Sequence, residues 1–123
     1  MKFQLDSSEG RNAVTAYGEG FVEVSRKRYE TSLVLLPDRI VTDWGEGGFD
    51  ALTLADIERL RMFQPQVLLL GTGSRQRFPP PSLLRPLIEA RIGYEIMTLP
   101  AACRTFNVLI AEGRHVLAAL LLD

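Results

Sequence analysis

The 123-residue sequence predicts an α/β fold: a three-layer single domain over residues 1–123, with antiparallel amino-terminal hairpins joined to a βαβ-type carboxy-terminal half through a mixed central sheet. Three observations carry that reading. Short β-rich runs separated by tight-turn signals occupy the amino-terminal part. Beyond residue 53, apolar residues recur alternately at helical spacing and in short continuous runs. Glycine and proline punctuate these segments, and no repeat, linker or low-complexity stretch interrupts them.

Each element has a local cause. Residues 14–17 and 21–24 flank Gly18-Glu19-Gly20, a glycine loop of hairpin length. Residues 32–36 and 39–43 flank Pro37-Asp38, where proline presets φ for a turn, giving a second hairpin. Trp44 leads into the glycine-rich loop Gly45-Glu46-Gly47-Gly48. Thr53 and Asp56 form a capping-box pattern ahead of Leu54, Ile57, Leu60 and Phe63, and Pro65 stops that helix near Gln64. Residues 67–70 form a continuous apolar run, as in a strand buried on both faces. Leu84, Leu87, Ile88 and Ile92 mark the apolar face of a second helix, with Pro86 in its first turn and Gly93 as its stop. A strand over 94–98, a helix over about 100–112 stopped at Gly113, and a strand over 115–121 complete the chain.

Composition narrows the function. With 46% hydrophobic and 24% charged residues the chain is of ordinary globular type. A net charge of −1 argues against a nucleic-acid partner, which calls for a basic excess. One cysteine, Cys103, excludes an internal disulfide and a multi-cysteine zinc site, and one histidine, His115, excludes a histidine metal cluster; neither metal nor cofactor is expected. The start, MKFQLDSSEGRN, lacks an apolar core of signal-peptide length and turns acidic by Asp6. The longest apolar run, 116–122, falls short of the ~20 residues that span a bilayer. The expected address is cytoplasmic, without membrane insertion.

The segment from Gly93 to Arg114 concentrates the chemistry, because its helix opens on Cys103, Arg104 and Thr105. Parallel strands at 67–70 and 94–98 would bring the loops that follow them to one sheet edge, where open α/β sheets hold ligands. The candidate anion crevice comprises Gly71, Thr72, Gly73, Arg75, Arg104, Thr105 and Asn107, with Arg77 nearby and the positive end of the helix among them. Gly71-Thr72-Gly73-Ser74 lacks the lysine and spacing of a nucleotide loop, and reads more readily as a sharp exit turn than as a ligand cradle. The arginines have a competing role in pairs with Glu95 and Glu112. For Cys103, the helix dipole and Arg104 lower a thiol pKa, whereas the run Ala101-Ala102-Cys103 suits close helix–sheet packing. Asn107 either orients Arg104, touches a ligand or faces solvent; Phe106, Leu109 and Ile110 form the core face. Asp6, Glu9, Asp38, Asp43, Glu46 and Asp50 are scattered over loops and strand ends, and no acid–base pair stands out.

Three motifs, PDRIVTDW (37–44), LLLGTG (68–73) and GYEIMTLPAACRTFNVLIAEGRHVLAAL (93–120), resemble domain of unknown function number 498. That family includes a mitochondrial respiratory complex I assembly factor and an adipogenesis-associated protein. The resemblance covers almost the whole chain and implies a three-layer α/β fold with a mixed sheet, but it transfers no catalytic residues. Phe106 stands where the family often has tyrosine. Two functions follow as expectations: a noncatalytic protein-binding or assembly module with a protein partner, or a small anionic-ligand binder or cryptic enzyme using the Gly71–Arg75 and Leu99–Asn107 loops.

Overall fold

A computed structural model describes residues 10–123; the acidic residues Asp6 and Glu9 lie outside them. Among the described residues, eight strands and three α-helices follow in the order β1 (Val14–Gly18), β2 (Phe21–Val24), β3 (Lys27–Tyr29), β4 (Leu33–Leu36), β5 (Arg39–Val41), α1 (Leu54–Arg61), β6 (Val67–Thr72), α2 (Arg85–Glu89), β7 (Gly93–Met97), α3 (Leu99–Ala111) and β8 (Val116–Leu121). Strands β1-β2-β3 make an antiparallel sheet, and β5-β4-β8-β6-β7 make a mixed one. In the latter, β4 runs antiparallel to both β5 and β8, while β6 is parallel to β7 and β8. The expected mixed sheet and the parallel pairing of the two strands that flank α2 are both present.

All six residues of β8 are buried, because the mixed sheet is covered on both faces. On one face Leu33, Leu35, Leu69, Ala118 and Leu120 pack under α3 and under Val14, Val22 and Val24 of the small sheet. On the other, Val34, Leu36, Leu68, Leu70 and Leu117 meet Trp44, Ile57, Leu60 and Leu87 from α1, α2 and their approaches. Three layers result. The capping box of α1 is formed in both directions, Asp56 N donating to Thr53 Oγ1 at 3.2 Å and Thr53 N to Asp56 Oδ2 at 2.9 Å. Trp44 Nε1 donates to Asp56 O at 3.0 Å and fixes the same turn.

Several details depart from the sequence reading. Strand β3 was not expected: its turn, Ser25-Arg26, holds both residues at positive φ (50° and 74°) without the glycine or asparagine that marks such turns. The helix stop assigned to Gly93 falls instead to Arg91 at φ 58°, and Gly93 opens β7. Ile88, expected in the core, is 57% exposed, because α2 has only five residues and its approach, Pro81–Leu84, is a 3-10 turn. Gly71 belongs to β6, not to an exit turn. A Cβ there would lie 3.0 Å from Ala102 Cβ and 3.1 Å from Leu120 Cδ2, so glycine lets α3 settle on the sheet. The turn begins at Gly73, φ +82°.

Candidate functional site

The carboxyl ends of β6, β7 and β8 converge at one edge. From β6 the chain departs towards α2 on one face, and from β7 it crosses by α3 on the other face to reach β8. The ends of β6 and β7 therefore flank the topological switch point, the usual ligand position in open α/β sheets, with the end of β8 beside them. The Gly73 turn and the start of α3 lie side by side, Leu99 N donating to Gly73 O at 2.7 Å.

The backbone donors at that helix start are already engaged. Leu99 N–H is used by Gly73, Pro100 has none, Ala101 N donates to Thr98 Oγ1 at 3.4 Å, and Ala102 N to Thr98 O at 2.9 Å. The turn itself is closed around Thr72, which is fully buried. Its Oγ1 donates to Arg75 O at 2.6 Å and accepts from Arg77 N at 3.0 Å. Arg77 brings Nη2 to Thr72 O at 2.9 Å and to Asp123 Oδ1 at 3.3 Å, and stacks 4.6 Å above the Phe49 ring. Asp123 Oδ2 also accepts from Phe49 N at 3.1 Å. Arg77 is thus the arginine that reaches the turn, and it arrives paired.

The remaining candidates separate. Arg75 is exposed, with its carbonyl serving Thr72. Arg104 points towards the small sheet and donates to Tyr17 Oη at 3.1 Å. Asn107 does not face solvent or Arg104: its Oδ1 accepts from Val14 N and its Nδ2 donates to Val14 O, each at 2.8 Å, which pins β1 to α3. Thr105 is half-buried on the same helix. Cys103 is 1% exposed, and burial pushes its thiol up to about 12 against the pull of Arg104. The packing role wins over the reactive one. His115 is exposed, its ring 3.4 Å from Phe63 O.

Between the switch point and the β1–β2 turn lies a cleft of about 340 Å³, lined by Tyr17, Glu19, Gly73, Leu99, Leu122 and Asp123 among others. The sequence reading missed Tyr17, Glu19 and Asp123 here. Only the docking of the small sheet, which no local pattern encodes, brings the first two to the edge. Among the described residues, no group of three or more histidine, cysteine or carboxylate side chains is arranged to hold a metal ion, and no helix is long and apolar enough to cross a membrane.

Comparison with known proteins places this architecture. A Bordetella parapertussis protein of known crystal structure superposes with a TM-score of 0.85 at 39% identity, over 93% of this chain and 98% of that one. The crystal structure of a Bartonella henselae protein, described as an outer membrane protein, gives a TM-score of 0.73 at 35% identity, over 91% and 95%. A Bos taurus protein named NADH dehydrogenase [ubiquinone] 1 alpha subcomplex assembly factor 3 is 35% identical over 104 residues, covering 83% of this chain and 55% of its own length. The chain spans roughly half to two-thirds of the assembly factors it matches, at 55%, 66% and 48% of three of them. Residues 14–121 match the family model described as protein of unknown function (DUF498/DUF598), and the chain belongs to that family.

Proposed function

We propose that this chain is a noncatalytic protein-binding module of the assembly-factor kind, acting in the cytoplasm on a protein partner. The observation that carries the reading is the 35% identity over 104 residues to a protein named as a complex I assembly factor. The chemistry is in keeping with it. The one thiol is buried and held protonated, and the backbone donors at the start of α3 are spent on the fold. A scaffold whose polar groups serve its own structure offers its surface rather than a reacting centre.

Capture from native extract with the tagged full chain tests this. A protein that is retained saturably and released by excess untagged chain is the expected result. Turnover of a small substrate by the purified chain, with no protein retained, would contradict it.

The second reading, a small-anion site at the Gly73 turn, is favoured by one observation. The Arg77 guanidinium lies 3.3 Å from the position a Gly73 Cβ would take. Its pairing with Asp123 and the acidic Glu19 beside the cleft weigh against it. Titration with sulfate and phosphate decides: saturable Gly71 and Gly73 amide shifts, lost in Arg77→Ala, would favour an anion over the protein-only role.

A further inference from the structure

We propose that β7 is a docking edge whose occupant is an extended segment of a partner protein, added as a sixth strand, with apolar side chains alternating with a basic one. The inference rests on the protein-binding reading and gives it a surface and a partner chemistry.

Among the described residues, strand β7 ends the five-stranded sheet and has β6 as its single strand neighbour. Its spare groups follow from the backbone. Met97 O lies 3.4 Å from Thr72 Oγ1 and Leu99 N donates to Gly73 O, so the odd-numbered residues address the β6 chain. Alternation along the strand turns the N–H and C=O of Tyr94 and Ile96 outward. Of these, Ile96 O accepts from Gln76 Nε2 at 2.7 Å. The others form a template for another strand. Natural edges are usually blunted by shortness, proline or lysine. The opposite edge, β5, has three residues and follows Pro37-Asp38, whereas β7 has five residues and carries neither proline nor lysine.

A groove of about 440 Å³ runs beside that edge, walled by Phe78, Pro79, Leu84, Ile88, Tyr94 and Ile96. Phe78 is 67% exposed and Ile88 57%. Directly opposed residues on neighbouring strands share a face. A strand bonded to Tyr94 and Ile96 therefore hangs its own side chains over this groove. The position opposite Glu95 falls on the other face, beside an exposed carboxylate, and calls for lysine or arginine. Strand addition of this kind takes affinity from main-chain bonds and specificity from alternate side chains. A second copy of this chain fits less well. The two-fold antiparallel register that matches all five residues of β7 opposes Glu95 to Glu95.

Two experiments on the full chain test the edge. Benzoylphenylalanine at position 88, or at exposed Val108 on α3 as a control, is irradiated in native extract and the crosslinked peptide is sequenced. Position 88 is expected to capture a foreign segment in which apolar residues alternate with lysine or arginine, and position 108 is not. Crosslinks joining only two copies of this chain, or a foreign segment without a basic residue, overturn the proposal. A foreign protein captured only at position 108 overturns the edge and leaves the protein-binding reading standing; no foreign protein in capture or crosslinking overturns both. The acetylated, amidated peptide Val-Lys-Val-Lys-Val is then titrated into ¹⁵N-labelled chain, with Val-Glu-Val-Glu-Val as its counterpart. Tyr94 and Ile96 amides are expected to shift saturably with the lysine peptide and at least about tenfold more weakly with the glutamate peptide. Glu95→Lys reverses that preference, and Ile88→Glu, at an exposed site, weakens binding without unfolding. No saturable shift at Tyr94 or Ile96 up to about 1 mM, where even weak complexes register, overturns the proposal.

Discussion

Cys103 and Asn107 lie in the same helix and show how burial and contact decide a residue's role. The Cys103 thiol, raised to about 12 by burial, stays neutral at physiological pH. At pH 8 its thiolate fraction is roughly a thousand-fold below that of a free cysteine of pKa about 8.5. Labelling by a disulfide reagent should be correspondingly slow until the chain is unfolded in urea. Because the folded pKa lies above the ordinary value of 9.0, the neutral thiol's contribution to stability is complete below pH 9 and is lost as the pH rises towards 12. Urea midpoints should fall across that window, and Cys103→Ala should reduce the part of the fall that this thiol causes. Asn107→Ala leaves the N–H and C=O of buried Val14 without their partner, at a cost of about 1–3 kcal/mol. A lower urea midpoint, with faster amide exchange at Val14, is the expected outcome. The packing role of Cys103 was legible in the small-residue run Ala101-Ala102-Cys103, whereas the role of Asn107 was not. The apolar face of Phe106 and Ile110 follows from helical spacing, but Asn107 is explained only by β1, 93 residues away in the chain.

The elements best read in the sequence are those whose signals are local. Thr53 and Asp56 announce the start of α1, and both capping bonds form. Thr53→Ala should cost about 0.5–2 kcal/mol, read by calorimetry. Elements whose turns lack the usual residues were missed or misplaced. Ser25-Arg26 and Arg91 adopt positive φ without glycine, so β3 and the end of α2 carried no punctuation. Gly71 and Gly73 look alike in LLLGTG yet do different things. Gly71 admits Ala102 of α3, whereas Gly73 turns the chain against β8. A Cβ on Gly73 would meet Asp123 O at 2.3 Å, while one on Gly113, at a similar φ, would meet nothing within 4 Å. Gly113→Ala should therefore cost only backbone strain, about 1–2 kcal/mol. Gly73→Ala should cost more and loosen the Arg77–Asp123 pair, visible as a larger fall in melting temperature.

At the scale of the molecule, the alternation of strands and helices predicts the mixed sheet, and the motif resemblance predicts the family that comparison shows. The site was harder to read, because its geometry is set by docking between layers. The small sheet claims Arg104 and Asn107, and Asp123 claims Arg77, which disperses the constellation that adjacency along the chain suggests. What the surface offers instead is the β7 edge with Phe78 and Ile88 beside it. A protein-binding role is tested most directly by native mass spectrometry of the chain isolated under mild conditions from the cells that make it. That role predicts a discrete complex heavier than the 13.7 kDa chain by the mass of a second protein, dissociating to two polypeptides on activation. A chain heavier only by a small molecule, with no second polypeptide at any concentration, would contradict it.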